Sequence, residues 1–276
     1  MFYTRLQVVC DPAFSEILMA EIAEAGFDSF LETEEGFEAY AENEKFDQQQ
    51  LSSVQKKYKH VNPLLFFQDK IRKKNWNKEW EKNLQPIVVE EKCLIRAEFH
   101  KTEKKYPYEI IITPKMSFGT GHHQTTYLMI KNQMTLDHRC KRVMDAGCGT
   151  AILSIMASKL GASEMEAFDI DEWSVINGKE NIENNQCTNV HLQQGKIREM
   201  NFAGTFDIIL ANINKNVLLE ELKIYATYLA RGGYLMMSGF YDRDMKDIAK
   251  ESARHGLAEE RKDDRETWAL LLLKKE

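Results

Sequence analysis

Apolar and polar residues alternate from Phe2 to Val9, the period of a half-buried strand. Pro12 then opens a segment whose apolar positions, Phe14, Ile17, Leu18, Ile22 and Ala25, recur at helical spacing, with Gly26 where a helix should stop. Two short strand patterns follow, Ser29 to Thr33 and Gly36 to Ala41, joined through Glu34-Glu35-Gly36. A polar helix from Gln48-Gln49-Gln50 to Tyr58 leads to a strand from Leu64 to Gln68. The resulting βαββαβ order predicts a small ferredoxin-like α+β domain.

Residues 71 to 84 are highly charged and place Trp76 and Trp80 on one helical face, as packing anchors for a connection rather than a base-stacking platform. Strand patterns at Ile87 to Val89, Cys93 to Phe99 and Tyr108 to Ile112 come next. Beyond them strands and helices alternate: strand to Asp145, helix to Leu160, strand Glu164 to Asp171, helix Trp173 to Asn184, strand Asn189 to Gln193, buried strand Phe206 to Asn214 and helix Val217 to Leu229. A turn at Arg231-Gly232-Gly233, strand Tyr234 to Ser238 and helix Arg243 to His255 precede a final hairpin, Ala258 to Arg261 with Thr267 to Leu273. Alternation predicts an α/β sheet of parallel strands, and the closing hairpin separates it from dehydrogenase sheets, whose last strands return through helices. The expected domains are residues 1–70, a linker at 71–92, and 93–276.

The chemistry concentrates at Val143 to Ile155, where a short apolar strand meets Asp145-Ala146-Gly147-Cys148-Gly149-Thr150-Ala151 and then an apolar-periodic helix. Glycines there permit a tight turn and close backbone approach to a ligand. Ala151 stands where a dinucleotide fingerprint has its third glycine, and Asp145 would repel a pyrophosphate. A cofactor with a cationic amino-acid end and no phosphate, S-adenosylmethionine, suits an acidic turn better, although glycines alone do not choose the cofactor. Asp169 lies about 20 positions beyond them, where a ribose diol would be held. Asn212 ends the strand from Phe206 and should face the same crevice as Gly147 and Asp169. Ahead of them, Met116 to Met129 carries Gly119, Gly121 and the hydroxyls Thr125 and Thr126, a loop and helix entry able to cover a cofactor. His122 and His123 are neighbours that point in different directions, and no third residue has ligand spacing, so no metal site is expected.

Composition narrows the class. With 43% hydrophobic and 29% charged residues and no apolar run near ~18 residues, a soluble globular fold is expected and a membrane-spanning one is not. Five cysteines without CxxC spacing argue against a disulfide framework and a zinc site, and the start lacks a secretory pattern, so a cytoplasmic location is expected. A net charge of -6 disfavours a nucleic-acid surface, and a monomer with no direct nucleic-acid binding is expected. Residues 1 to 60 hold twelve Asp/Glu against five Lys/Arg, a balance of -7, which is either a solvated surface or a means of steering a lysine-rich substrate.

Taken together, Phe118-Gly-Thr-Gly-His-His-Gln-Thr-Thr126, the Asp-x-Gly-x-Gly turn, Asp169-Ile-Asp171 and Ala211-Asn-Ile213 resemble the bacterial methyltransferases of the eleventh large-subunit ribosomal protein, the PrmA family. The likeness covers nearly the whole chain. It departs from the family pattern at Ala151, usually glycine, at Thr113-Pro114-Lys115, usually Asp-Pro-Gly, and at Glu172, usually proline. The resemblance implies a seven-stranded class I methyltransferase (Rossmann-like) sheet and S-adenosylmethionine contacts at Thr126, Gly147, Asp169 and Asn212. It also implies methyl transfer to amino groups of a ribosomal protein, chiefly lysine, with the amino-terminal domain recognising the substrate. Asn212 is the candidate catalytic residue, positioning the amine by its side chain and nearby backbone carbonyls; no dedicated general base is evident. Rival readings are a methyltransferase of an RNA or small-molecule amine, and a cofactor-binding scaffold without catalysis.

Overall fold

The computed structural model describes residues 2–27, 29–33, 35–42, 46–59, 63–72, 85–113 and 123–276. Trp76 and Trp80 of the expected linker helix, Glu34, and the Phe118–His122 part of the glycine loop lie outside the described residues. Two compact units divide the chain, Met1–Leu84 and Gln85–Glu276.

The first unit contains β1 (Phe2–Cys10), α1 (Pro12–Glu24), β2 (Ser29–Thr33), β3 (Gly36–Glu42), α2 (Gln48–Lys57) and β4 (Leu64–Arg72). Its antiparallel sheet has the order β2-β3-β1-β4, the arrangement of a ferredoxin-like unit. β4 continues past Gln68 because β1 pairs with it as far as Phe2 opposite Arg72. Strand alternation sends Leu6 and Val8 of β1 and Phe37 and Ala39 of β3 into a core with Leu18 and Ile22 of α1 and Leu51 and Val54 of α2. The Asp47 carboxylate starts α2 by accepting from Gln49 N–H (2.7 Å) and Gln50 N–H (3.1 Å). On the opposite face Leu31, Leu65 and Phe67 stay more than half exposed, at 58%, 52% and 53%.

The second unit opens with β5 (Ile87–Val89), β6 (Cys93–Arg96) and β7 (Tyr108–Ile111), a small mixed sheet. Residues 85–92, expected in the linker, fall within this unit: Val89 is buried in one core with Cys93, Ile95 and Ile110. Next come α3 (Gln124–Gln133), β8 (Arg142–Ala146), α4 (Ile152–Lys159), β9 (Glu164–Asp169), α5 (Glu172–Asn184), β10 (Val190–Gln194) and β11 (Phe206–Asn212). The chain then adds α6 (Lys215–Tyr228), β12 (Leu229–Tyr241), α7 (Met245–Ala253), β13 (Leu257–Arg265) and β14 (Trp268–Lys275). The seven-stranded sheet runs β10-β9-β8-β11-β12-β14-β13. Its first five strands are parallel, and β14 enters antiparallel between β12 and β13. Successive residues of β8, Val143 and Met144, enter the two cores on opposite faces of the sheet. Strand order reverses at β8, whose neighbours are β9 and β11, so a ligand crevice belongs beyond the carboxyl end of β8. No helix among the described residues is long and apolar enough to cross a membrane.

Candidate active site

A cavity of about 460 Å³ occupies that place, with walls from six strands, β8 to β12 and β14, and from α3, α5 and α6. Gly147 and Gly149 follow β8, Asp169 ends β9 and Ile170 follows it, Lys196 and Ile197 follow β10, and Asn212 ends β11 with Ile213 after it. Gly239 and Trp268 close it from the β12–β14 side, with His123 and Thr125 at the start of α3.

The glycine turn is built from left-handed backbone at Gly147 (φ 65°), Gly149 (φ 53°) and Ala151 (φ 62°). At Gly147 a side chain is excluded twice, by that φ and by Ile213 Cγ2, which would lie 2.5 Å from an added Cβ. Ala151 takes the same conformation with the smallest possible side chain, and its N–H still closes the turn on Cys148 C=O (2.8 Å). β9 holds the turn in place: Phe168 C=O accepts from the N–H groups of Gly147 (2.9 Å) and Cys148 (3.1 Å), and Asp169 Oδ2 accepts from Gly149 N–H (2.8 Å). Asp169 Oδ1 accepts from Asp171 N–H (3.0 Å). Each oxygen keeps a second lone pair, so the carboxylate is aimed before any ligand arrives.

Asp145 corrects one step of the sequence argument. It does not line the cavity; it is fully buried, and its Oδ2 accepts from Ser154 N–H (3.1 Å) and Ser154 Oγ–H (2.6 Å) at the start of α4. Burial pushes its carboxyl up to about 7; Oδ2 joins the turn to the helix, and Oδ1 is buried without a hydrogen-bond partner among the described residues.

The structure brings Gly147, Asp169 and Asn212 to one cavity. Asn212 Oδ1 is buried and has no hydrogen-bond partner among the described residues. A buried carbonyl oxygen left so is costly unless a ligand donates to it. Thr126 is buried beside the site with its Oγ1 likewise unpartnered among the described residues, while Thr125 is the threonine that lines the wall. His123 caps α3, accepting at Nδ1 from Thr125 N–H (3.3 Å), and burial holds its pKa below the ordinary value, so the ring is neutral near pH 7.

Four contributors escaped the sequence reading. Glu221 of α6 lines the cavity, accepts from Tyr225 O–H and is shifted upward by burial. Gly178 lets α5 press on the turn: a Cβ there would lie 2.6 Å from Leu192 Cδ2 and 3.2 Å from Gly149 C=O. Asn181, also on α5, donates to Thr150 C=O (3.0 Å) and accepts from Thr113 N–H (2.8 Å), tying the glycine turn to the end of β7. Trp268 arrives from the last hairpin. A glycine inside a helical pattern was a visible signal for Gly178; nothing local marked the others.

The sheet order, the left-handed glycine turn, the aimed acidic residue at the next strand end and the unpartnered oxygens of Asn212 and Thr126 fit S-adenosylmethionine, and they define a class I methyltransferase that uses it. A family model described as ribosomal protein L11 methyltransferase (PrmA) matches residues 14–276. The ribosomal protein L11 methyltransferase of Bacteroides fragilis is 39% identical over 262 residues, covering 94% of each chain, and that of Porphyromonas gingivalis is 40% identical over 258 residues, covering 93% of this chain and 89% of its own. Among solved structures, the ribosomal protein L11 methylase of Lactobacillus delbrueckii subsp. bulgaricus aligns with a TM-score of 0.64 and 27% identity, over 70% of this chain and 100% of that one. The chain belongs to the PrmA family of ribosomal protein L11 methyltransferases.

Proposed function

We propose that this chain methylates amino groups of ribosomal protein L11, chiefly lysine side chains, with Asn212 positioning the amine. The observation that carries the reading is the buried, unpartnered Oδ1 of Asn212 in the same cavity as Gly147 and Asp169. Bound S-adenosylmethionine supplies an electrophilic methyl group on a cationic sulfur. Gly147 and the Asp169 carboxylate hold the nucleoside side of the cavity, and Thr126 Oγ1 adds a hydrogen bond. Asn212 Oδ1 accepts from an amine N–H and so turns the nitrogen lone pair away from itself, toward the methyl donor. A lysine ammonium in water has a pKa near ~10.4 and no free lone pair. The desolvated cavity favours loss of its proton to solvent, leaving the neutral amine as nucleophile.

The amino-terminal unit serves as the substrate-recognition domain in this reading. Its charge balance of -7 over residues 1 to 60 suits a basic protein, and the exposed Leu31, Leu65 and Phe67 offer apolar contact on the face its helices leave open. The enzyme acts as a cytoplasmic monomer without binding nucleic acid directly. Mass spectrometry of purified L11 after incubation with the enzyme and S-adenosylmethionine tests the proposal: methyl increments on lysine-containing peptides are expected. An unmodified L11, with methyl transfer to RNA or a small amine instead, would overturn the substrate.

A further inference from the structure

Strand β7 has a second partner that is not a strand. One of its edges pairs with β6, and Ile112 N–H continues that edge by donating to Arg96 C=O (2.9 Å). The other edge presents the backbone of Ile111 and Thr113, and asparagines of α5 meet it. Asn185 Oδ1 accepts from Ile111 N–H (3.0 Å) while its Nδ2 donates to Ile111 C=O (2.6 Å). Asn181 Oδ1 accepts from Thr113 N–H (2.8 Å), and Asn184 Nδ2 donates to Thr113 Oγ1 (3.2 Å). The repeats match. Two residues of strand span roughly 6.6 Å and four residues of helix roughly 6 Å, so side chains one turn apart on α5 fall opposite alternate backbone groups of β7.

Asn181 differs from the other two. It is fully buried, and its Nδ2 turns away from β7 to donate to Thr150 C=O (3.0 Å) inside the glycine turn. Its amide has one usable orientation, since Thr113 offers a donor and Thr150 an acceptor. Nearby on the same helix Gly178 makes room for the turn, where an added Cβ would lie 3.2 Å from Gly149 C=O and 3.4 Å from Ala151 Cβ. Helix α5 thus holds the turn by one contact and one hydrogen bond, and is itself moored to β7. We propose that Asn181 is a positioning residue for the cofactor: it does not line the cavity, but it fixes the left-handed backbone from Gly147 to Ala151 against β7, so that cofactor affinity depends on this amide. This rests on the assignment of Gly147 and Asp169 to the cofactor. The physical reason is that β9 supports the turn on one side through Phe168 and Asp169, while Thr150 is a point at which α5 supports the other; a backbone that must meet a ligand closely needs both.

Calorimetric titration of the full chain with S-adenosylhomocysteine tests this without any protein substrate. Asn181→Asp keeps an acceptor for Thr113 N–H but sets a carboxylate oxygen against Thr150 C=O, so at about pH 8 the dissociation constant should rise roughly tenfold. Asn185→Asp removes a donor from the same ladder away from the turn, and should stay within about twofold of wild type. Toward about pH 5.5 the new carboxyl of Asn181→Asp takes up a proton, which burial favours, and its O–H replaces the lost donor; the deficit against wild type should then narrow to about threefold or less. Hydrogen exchange of the wild type carries the test if Asn181→Asp fails to fold. Saturating S-adenosylhomocysteine should slow exchange of the Thr113 amide by roughly tenfold and that of the Ile112 amide, on the opposite edge, by less. Wild-type affinity in Asn181→Asp, an equal loss in Asn185→Asp, a deficit that ignores pH, or equal slowing of the two amides would each overturn the proposal. Asp169→Ala, titrated alongside, keeps the failures apart: wild-type affinity there would remove the cofactor assignment instead.

Discussion

The two sides of the cavity are built differently. On the β8–β9 side, Phe168 C=O and the Asp169 carboxylate are engaged by N–H groups of Gly147, Cys148, Gly149 and Asp171, so the site is held by hydrogen bonds between short, nearby segments. On the β11–β14 side, Asn212 Oδ1 is unpartnered among the described residues, and the wall is brought together from α3, β11, β12 and β14. A rigid, satisfied side suits a cofactor that is the same at every turnover. An open side with a spare acceptor suits the amine group that the proposed function places there.

The largest effect is expected at Asp169. Asp169→Ala removes a charge-assisted acceptor and strips Gly149 and Asp171 of their partner, so S-adenosylhomocysteine binding should weaken roughly a hundredfold, about 3 kcal/mol. A calorimetric dissociation constant equal to wild type would take Asp169 out of the site. The support behind that side can be tested at Asn181. Asn181→Ala should destabilise the chain by about 2 to 3 kcal/mol, because it withdraws a buried bridge between Thr113 and Thr150, and urea unfolding measures it. A midpoint unchanged from wild type would mean that the bridge contributes little.

The open side should respond in rate rather than in stability. Asn212→Ala should lower turnover on L11 by roughly tenfold while raising the Michaelis constant less, since aligning the nitrogen matters most in the transition state. Single-turnover methylation at saturating cofactor separates the cases. A chemical step as fast as wild type would exclude Asn212 from positioning, and loss of cofactor binding alone would move it to the cofactor side.

The smallest effect is a pH slope. Burial raises the Asp145 carboxyl from an ordinary 3.8 to about 7, so between those values the folded chain binds more protons than the unfolded one. Its contribution to stability is therefore fully present below about pH 4 and is lost as pH rises through about 7. Asp145→Asn should flatten this part of the melting-temperature profile. A slope identical to wild type would show that Asp145 titrates normally.

Much of the satisfied side was legible in the sequence because its physics is local. Gly147, Gly149 and Asp169 lie within one strand-turn-helix-strand unit, and periodicity alone located β8, α4 and β9 around them. Asn212 was legible for a related reason: a buried run of apolar residues ends at it, and strand ends in open α/β sheets face the crevice. Asp145 shows where such reading goes astray. Its place in the motif was plain, but whether its carboxyl faces a ligand or Ser154 is settled by packing of α4 against the turn, which spacing does not express.

What the chain determined by itself, then, is the order and type of its elements, the glycine turn and the acidic strand end, since each follows from backbone preference and periodicity over a few residues. Only the tertiary structure decided that β14 slots between β12 and β13, that Gly239 lies against Ile213, and that Trp268 meets His123 from 145 residues earlier in the chain. Those contacts depend on strand order and register, which are selected by the joint burial of many side chains and leave no mark on any one stretch of sequence.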